Sequence, residues 1–134
     1  MLIDKVVRAD SRRVGAVMAL SVETQISGDV FILHCEGRIV YGDECAVLRE
    51  RVVSILTGSP KIVVNLAGVD HIDSEGLGML VGHLVSARNR GGELKLASPG
   101  TRVKDLLRRT NLDTIFAVYG HQDEAVAAFR KQVA

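Results

Sequence analysis

The sequence is poor in aromatic residues and has almost no net charge. Only 4% of its 134 residues are aromatic, none is tryptophan, and the three phenylalanines and two tyrosines are scattered. Proteins that bind single-stranded nucleic acids usually stack bases on aromatic side chains, and duplexes are bound by clustered positive charge. Here 17 basic residues are balanced by 16 acidic ones, which leaves a net charge of +1. We therefore expect no direct contact with nucleic acid.

Paired cysteines, metal-ligand clusters and long apolar segments are also lacking. Cys35 and Cys45 form no C-x-x-C pair, and the 47% of hydrophobic residues supply a core without disulfides, so both are predicted to be reduced thiols. The four histidines are too widely spaced to predict a metal site. No run of 18 apolar residues occurs, and charged residues interrupt residues 1–20. These absences predict a cytoplasmic protein with no signal peptide, no membrane insertion and no cofactor.

The length of the chain and its hydrophobic pattern predict one α/β domain. Residues 1–19 show no clear period and suggest an N-terminal arm or a short docking helix, although translation from Met18 would also explain them. Residues 20–134 hold a domain that opens with a β-hairpin around Gly28-Asp29 and continues with alternating helices and strands. Right-handed crossovers then give a mixed β-sheet covered by about four helices. The predicted strands are Ser21–Ser27, Val30–Cys35, Lys61–Leu66, Leu94–Leu96 and Ile115–Tyr119, and the predicted helices begin near Asp43, Leu77, Val103 and Asp123, the last running to Val133.

The most informative segment, residues 69–78, lies between a predicted buried strand and the helix that follows it. Loops at the carboxyl ends of strands usually carry function in open α/β sheets. Asp73 or Ser74 can cap this helix, because a short side chain with an oxygen atom accepts a hydrogen bond from a first-turn N–H group. Gly76 and Gly78 each cost about 1 kcal/mol relative to alanine inside a helix. We therefore expect something close to the backbone to require them.

Residues 73–78 read Asp-Ser-Glu-Gly-Leu-Gly and resemble the Asp-Ser-Ser/Thr-Gly-Leu-Gly signature of STAS domains, specifically of the bacterial anti-sigma factor antagonists. The resemblance continues through Gly91–Leu96 and Val103–Leu107, and reaches residues 110–112, where Thr-Asn-Leu stands in place of the usual Thr/Ser-Gly-Leu. It covers roughly residues 21–133. The resemblance implies a STAS-like fold, which agrees with the predicted order of elements.

The same resemblance implies a switch at Ser74, the first serine of the signature. In the family, a partner anti-sigma factor that is also a serine kinase phosphorylates this serine. The unphosphorylated protein captures that kinase and frees the sigma factor, and a serine phosphatase resets the cycle. On this interpretation the chain is a substrate and a binding module, not an enzyme, and a homodimer is left open. The partner-binding residues that the signature implies are Asp73, Ser74, Glu75, Gly76, Leu77 and Gly78.

The chain departs from the family pattern at three places. Glu75 replaces the second Ser/Thr of the signature and puts a permanent negative charge beside Ser74, which either tunes the switch or mimics part of its phosphorylated state. Arg38 and Val40 stand where the family commonly has the acidic residues of Gly-Glu-Ile/Leu-Asp, which changes the usual partner surface. Asn111 replaces a glycine, a mild change because asparagine also tolerates left-handed backbone.

Two other functions stay open. One is a STAS-type scaffold or adaptor, in a signalling or transport assembly, whose binding does not depend on phosphorylation. The other is a small nucleotide-binding or hydrolytic protein, because Asp70, His71, Asp73 and Ser74 include the residue types of a hydrolase triad. Against the last, Val81 breaks the G-x-G-x-x-G spacing, and neither a phosphate-binding P-loop nor a G-x-S-x-G elbow is present.

Basic residues cluster on the predicted third helix. Such a cluster fits an acidic partner or a phosphate, and it also fits a simple solvated helix face. Its members are Arg102, Lys104, Arg108 and Arg109.

Overall fold

A computed structural model describes the backbone of residues 5–8 and the whole of residues 20–130. Six strands form one sheet in the order β1-β2-β3-β4-β5-β6, with β1 to β3 antiparallel and β3 to β6 parallel. The prediction of a mixed α/β sheet that includes a hairpin and carries four helices is confirmed. The strands are β1 (Lys5–Arg8), β2 (Leu20–Ser27), β3 (Val30–Ile39), β4 (Lys61–Ile72), β5 (Glu93–Ala97) and β6 (Val118–Tyr119), and the helices are α1 (Asp43–Leu56), α2 (Ser74–Asn89), α3 (Thr101–Arg109) and α4 (Gln122–Arg130).

The helices cover the sheet unequally. Helices α1, α2 and α3 contribute Leu48, Leu80 and Leu107 to the larger apolar cluster, which also contains alternate residues of the parallel strands. Helix α4 packs Val126 and Phe129 on the opposite face. Consecutive parallel strands joined by right-handed crossovers place their helices on the same face, which explains the three-to-one division.

A residue of helix α4 packs against a lysine whose burial was not predicted from the sequence. The side chain of Lys95, on β5, is only 3% exposed. Its ammonium group lies 4.8 Å from the ring centre of Phe129 and 5.6 Å from that of Tyr119. Contact with aromatic faces compensates part of the cost of taking this charge out of water.

The hairpin between β2 and β3 forms as predicted. Gly28 has φ 64°, the left-handed conformation that a tight turn needs. Asp29 beside it accepts a hydrogen bond from the Lys61 ammonium group at 2.7 Å, and its backbone carbonyl accepts another from the Ser59 hydroxyl at 2.7 Å. The turn is therefore tied to the start of β4.

Two strands run further than the sequence predicts. Strand β3 continues past Cys35 to Ile39, and β4 continues past Leu66 to Ile72, so residues 67–72 are strand where a loop was expected. Their pairing contains register shifts between His34 and Glu36 and between Gly37 and Arg38. Gly68 allows the shift, because a Cβ there would lie 2.6 Å from the Glu36 side chain and 3.0 Å from the Cys35 carbonyl oxygen.

Among the described residues, the end of β4 is hydrogen-bonded to a neighbouring strand along one edge only. The last residue of β4 paired with β5 is Asn65, opposite Ala97, whereas β3 accompanies β4 to Ile72. Within the described part of the chain, this end of β4 therefore pairs only with β3 and leads directly into α2. Gly37 of β3 is still paired with Leu20 of β2, and beyond it Arg38 and Ile39 pair with His71 and Ile72 alone. We refer to this part of β3 and β4 as the β3–β4 ribbon.

Several boundaries near the ends differ from expectation. Lys5–Arg8 form an edge strand, not the arm or docking helix suggested for residues 1–19, and the rest of that segment, with Met18, lies outside the described residues. Helix α1 begins at Asp43, but its N-cap is Gly42 and Asp43 makes no capping bond. The predicted strand Ile115–Tyr119 is reduced to β6, preceded by a 3-10 turn at Leu112–Thr114. Helix α4 is described to Arg130, so the predicted end at Val133 is outside the described part.

Candidate functional site

The signature residues lie at the junction between β4 and α2. Asp73 follows the last residue of β4, and Ser74 is the first residue of α2. Ser74, Glu75 and Gly78 are exposed, whereas Gly76 and Leu77 are buried. The exposed members of the signature are therefore accessible at the surface, and the buried ones shape the backbone beneath them.

Asp73 links the β4–α2 junction to the loop between β3 and α1 through hydrogen bonds of its side chain. One oxygen of its carboxylate accepts a hydrogen bond from the Gly76 backbone N–H at 2.8 Å, which is the predicted N-cap. The other oxygen accepts a bond from the backbone N–H of Tyr41 at 2.9 Å, in the loop between β3 and α1. These donors, with Tyr41 the larger contribution, hold the pKa of the Asp73 carboxyl below its usual range.

The two glycines of the signature have different roles. A Cβ at Gly76 would overlap the carbonyl oxygen of Ile39 and would lie 3.0 Å from the Cγ2 atoms of Ile39 and Ile72. A Cβ at Gly78 would meet no atom within 4 Å. The prediction that a close neighbour requires both glycines is right for Gly76 and wrong for Gly78.

Ser74 presents its hydroxyl group at the positive end of a helix. Its side chain is exposed and makes no hydrogen bond with residues 20–130. Its neighbours in sequence, Asp73 and Glu75, are both acidic, and the first turn of α1 also carries two acidic residues, Asp43 and Glu44. A cation or a hydrogen-bond donor on a partner would complement this surface, and a phosphate on Ser74 would add to its negative charge.

The buried thiol next to the site is not a reactive group. Cys45 lies in the first turn of α1 and is 5% exposed. Burial raises the pKa of its thiol, and the negative charges of Asp73 and Glu75 raise it further. Burial also raises the pKa of Cys35, to about 12. Both cysteines are free thiols, as predicted.

The structure adds Tyr41 to the site, a residue that the sequence analysis did not select. Its side chain is 75% exposed, the largest value among the exposed large hydrophobic residues of the described chain. The bond from its N–H group to Asp73 fixes its backbone beside Ser74. The available signal was an aromatic residue between a strand end and a glycine, in a chain with few aromatics. Arg38, also exposed, lies nearby on β3 opposite His71.

The residues that suggested a hydrolase are not arranged as a triad. Among residues 20–130, no hydrogen bond joins the side chains of Asp73, His71 and Ser74, and both carboxylate oxygens of Asp73 accept bonds from backbone N–H groups instead. Within residues 20–130, no group of three His, Cys, Asp or Glu side chains is placed to hold a metal ion. Nor is any helix of this part of the chain long and apolar enough to cross a membrane.

Relatives of known sequence match more than half of the chain. A protein from Thermotoga maritima described as an anti-sigma factor antagonist is 39% identical over 75 residues, which are 56% of this chain and 66% of that protein. The match therefore spans just under two thirds of that relative's length. The anti-sigma-B factor antagonist of Bacillus subtilis is 31% identical over 80 residues, which are 60% of this chain and 73% of that protein.

Solved structures show the same fold. The crystal structure of the T. maritima anti-sigma factor antagonist superposes with a TM-score of 0.75 at 33% identity, over 80% of this chain and 92% of that one. Two more distant proteins share the fold alone. The phosphorylated form of the Bacillus cell fate determinant SpoIIAA has a TM-score of 0.64 at 14% identity, over 80% of this chain and 97% of that one. A sulfate transporter family protein from Wolinella succinogenes has a TM-score of 0.64 at 22% identity, over 78% of this chain and 87% of that one.

The family assignment rests on a match that covers most of the chain. The model of the STAS domain family matches residues 21–125, from β2 into α4. This range includes the β4–α2 junction, the Asp73 cap and the loop that carries Tyr41. The chain belongs to the STAS domain family, and its relatives are named as anti-sigma factor antagonists.

Proposed function

We propose that this protein is an anti-sigma factor antagonist controlled at Ser74. In its unphosphorylated form it binds an anti-sigma factor that is also a serine kinase, and the sigma factor is released. Phosphorylation of Ser74 by that kinase ends the binding, and a serine phosphatase restores it. The observation that carries the proposal is an exposed serine at the first position of α2, in a domain of this family. The protein would act in the cytoplasm, as a binding module without catalytic residues.

The position of Ser74 explains how a phosphate could separate binding from folding. A phosphoserine carries about −1.5 to −2 charges at neutral pH. At the N-terminus of α2 this charge lies near unpaired N–H groups and the positive end of the helix dipole, which the isolated domain tolerates. In a complex packed around Ser74, the same charge would lose its water or face the like charges of its neighbours Asp73 and Glu75. The cost therefore falls on the complex.

Glu75 does not prevent such a switch. In water, a phosphate of this charge about 7 Å from the Glu75 carboxylate is repelled by only about 1 kcal/mol. The Glu75 side chain is exposed, so water screens its effect on a phosphate at Ser74. Its charge acts mainly on recognition by the kinase, where the contact surface excludes water.

The names of the relatives support an anti-sigma factor as the partner. Two of them are named as anti-sigma factor antagonists, and SpoIIAA, of the same fold, has a solved phosphorylated form. Arg38 and Val40 replace the acidic residues common in the family, so the cognate anti-sigma factor must differ at the surface that meets the end of β3. The partner is therefore expected to be specific to this chain.

A capture experiment with matched variants tests the proposal. Wild-type protein, Ser74→Ala and Ser74→Asp are used to retain partners from host lysate, and phosphate on the wild type is mapped by mass spectrometry. Capture of a kinase-like anti-sigma factor by the wild type and Ser74→Ala but not by Ser74→Asp, with phosphate at Ser74, is the expected result. Equal urea-unfolding midpoints of the three proteins would show that the loss is not due to misfolding.

A scaffold function is the second candidate. It is favoured by Glu75 in place of the second Ser/Thr, and by the presence of this fold in a sulfate transporter family protein. Under this alternative, all three proteins retain the same partners and Ser74 carries no phosphate. That outcome would replace the switch with a binding module that does not depend on phosphorylation.

A further inference from the structure

A cleft of about 360 Å³ lies between α3 and β6, made of residues that do not belong to the site at Ser74. One wall is a face of α3, with Lys104, Leu107 and Arg108 at helical spacing. The opposite wall is β6 with Gly120 after it. This volume lies within the range of small-molecule sites, roughly 300–1,000 Å³.

The lining of the cleft combines apolar surface with a few polar groups. Leu107 is almost completely buried and Val118 partly so, and Pro99 adds to this apolar surface. Tyr119 provides an aromatic ring that is also partly buried. An apolar floor with a small number of convergent polar groups is the usual composition of a site for a small organic molecule.

The walls of the cleft are connected in advance of any binding. Ser98, just before Pro99, has φ 56°, a left-handed conformation that is uncommon for a residue with a side chain. Its backbone N–H donates to the carbonyl oxygen of Tyr119 at 2.8 Å, and its hydroxyl donates to the carbonyl oxygen of Gly120 at 3.0 Å. These bonds hold the β5–α3 loop against the end of β6, so the cleft is preformed.

The charges of the cleft favour an anion with a single negative charge. Helix α3 carries four basic residues and one acidic residue. Within residues 20–130, Lys104 makes no ion pair, whereas Arg108 is bonded to Asp105 at 2.7 Å and retains other N–H donors. Asp113 on the rim opposes a second negative charge on a ligand.

We propose that the α3–β6 cleft binds a small organic carboxylate with an apolar body. The carboxylate lies between Lys104 and Arg108, and the apolar body contacts Leu107, Val118 and the ring of Tyr119. The site assigns a role to two of the four basic residues of α3 that the signature leaves unexplained. It goes beyond the function proposed for Ser74 and shares no residue with it.

The test uses benzoate as the probe and benzyl alcohol as its neutral analogue of similar size. Binding is followed by the NMR chemical shifts of backbone amides in the full chain. We expect saturable shifts centred on Leu107, Val118 and Gly120, with benzyl alcohol about threefold to fivefold weaker, the upper part of the range that one exposed charge contact supplies. No saturable shift at these amides with about 50 mM benzoate would overturn the proposal, because a dissociation constant above that concentration is weaker than a specific small-molecule site provides.

Matched variants separate the cleft from the general charge of the helix. Lys104→Gln should weaken benzoate binding about threefold to fivefold, whereas Arg102→Gln, on the same helix but outside the cleft, should leave it unchanged. Asp113→Asn should strengthen binding, because it removes the opposing charge. Equal losses in Lys104→Gln and Arg102→Gln would overturn the proposal, as would equal binding of benzoate and benzyl alcohol.

Discussion

Replacing each glycine of the signature by alanine should change stability in opposite directions. Gly76→Ala adds a methyl group that overlaps the carbonyl oxygen of Ile39 and touches the Cγ2 atoms of Ile39 and Ile72 at 3.0 Å. Overpacking of this kind costs about 1–3 kcal/mol, and here the obstacle is backbone, so the upper end applies. Removing glycine from the helix recovers about 1 kcal/mol, which leaves a net loss of about 2 kcal/mol. Gly78→Ala meets no atom within 4 Å and keeps the full gain.

Urea and thermal unfolding of the two variants and the wild type measure this difference. For a domain of this size, 1 kcal/mol corresponds to about 4 °C in Tm, so Gly76→Ala should lower Tm by about 8 °C. Gly78→Ala should raise it by up to about 4 °C. Changes of the same sign in both variants would refute the argument that Gly76 is required by its contact with Ile39, and would point instead to a shared effect of helix propensity.

Three further predictions concern side chains of the site and the helix behind it. If the protein binds the proposed anti-sigma factor, Tyr41→Ala should weaken that binding at least tenfold, because an exposed aromatic ring beside Ser74 is the kind of side chain that dominates an interface. The ring is 75% exposed, so stability should change by no more than about 0.5 kcal/mol. Val85→Ala, 49% exposed on α2, is the control, and equal affinities of the two variants in surface plasmon resonance would contradict the role of Tyr41. Asp73→Asn should cost about 1–2 kcal/mol in urea unfolding at neutral pH, because one carboxylate oxygen becomes an NH₂ group facing a backbone N–H. Since the pKa of Asp73 is lowered in the folded state, the ionised carboxylate stabilises the fold above the usual carboxyl range, and this stabilisation is lost as the pH falls through the lowered pKa. If Asp73→Asn lost stability below pH ~4 just as the wild type does, this argument would be contradicted. Burial lowers the pKa of His83 from 6.5 to about 4, so the unfolded state binds more protons in between and stability should fall as the pH drops through that range. The buried Nε2 of His83 makes no hydrogen bond with residues 20–130, so His83→Leu should raise stability at pH 7 and make stability less dependent on pH in urea titrations. An unchanged pH dependence would assign the effect to other groups.

The parts of the fold that the sequence predicts correctly are those with local causes. The hairpin follows from Gly28-Asp29 between two strand-forming runs, and α2 follows from the spacing of its apolar residues. The extension of β4 over residues 67–72 could not be predicted, because glycine, aspartate and histidine favour a loop there. Pairing with β3 overrides this preference, and that pairing depends on a register shift that no local pattern encodes.

In the candidate site too, features with local causes were predicted from the sequence and features that depend on distant residues were not. The cap at Asp73 is a local feature and was predicted, but its bond to Tyr41 joins residues 32 positions apart and is invisible to spacing rules. Gly76 and Gly78 are equivalent in the sequence, and only the position of Ile39 in space distinguishes them. The part of the site that the sequence conceals is thus the contribution of the β3–α1 loop.

The β3–β4 ribbon pairs β4 on one side only, which separates the stability of the segment before Ser74, the proposed phosphorylation site, from the stability of the domain. Among the described residues, His71 and Ile72 are paired only with Arg38 and Ile39, beyond the last pair between β4 and β5. Backbone amides of this segment can exchange with solvent through a local opening that leaves the central ladder intact, at a free energy below that of global unfolding. In hydrogen–deuterium exchange, residues 69–72 should therefore lose protection well before Ile62 and Val64, which are fully buried. A kinase could draw the chain before Ser74 into its own active site without unfolding the core that the rest of the sheet provides.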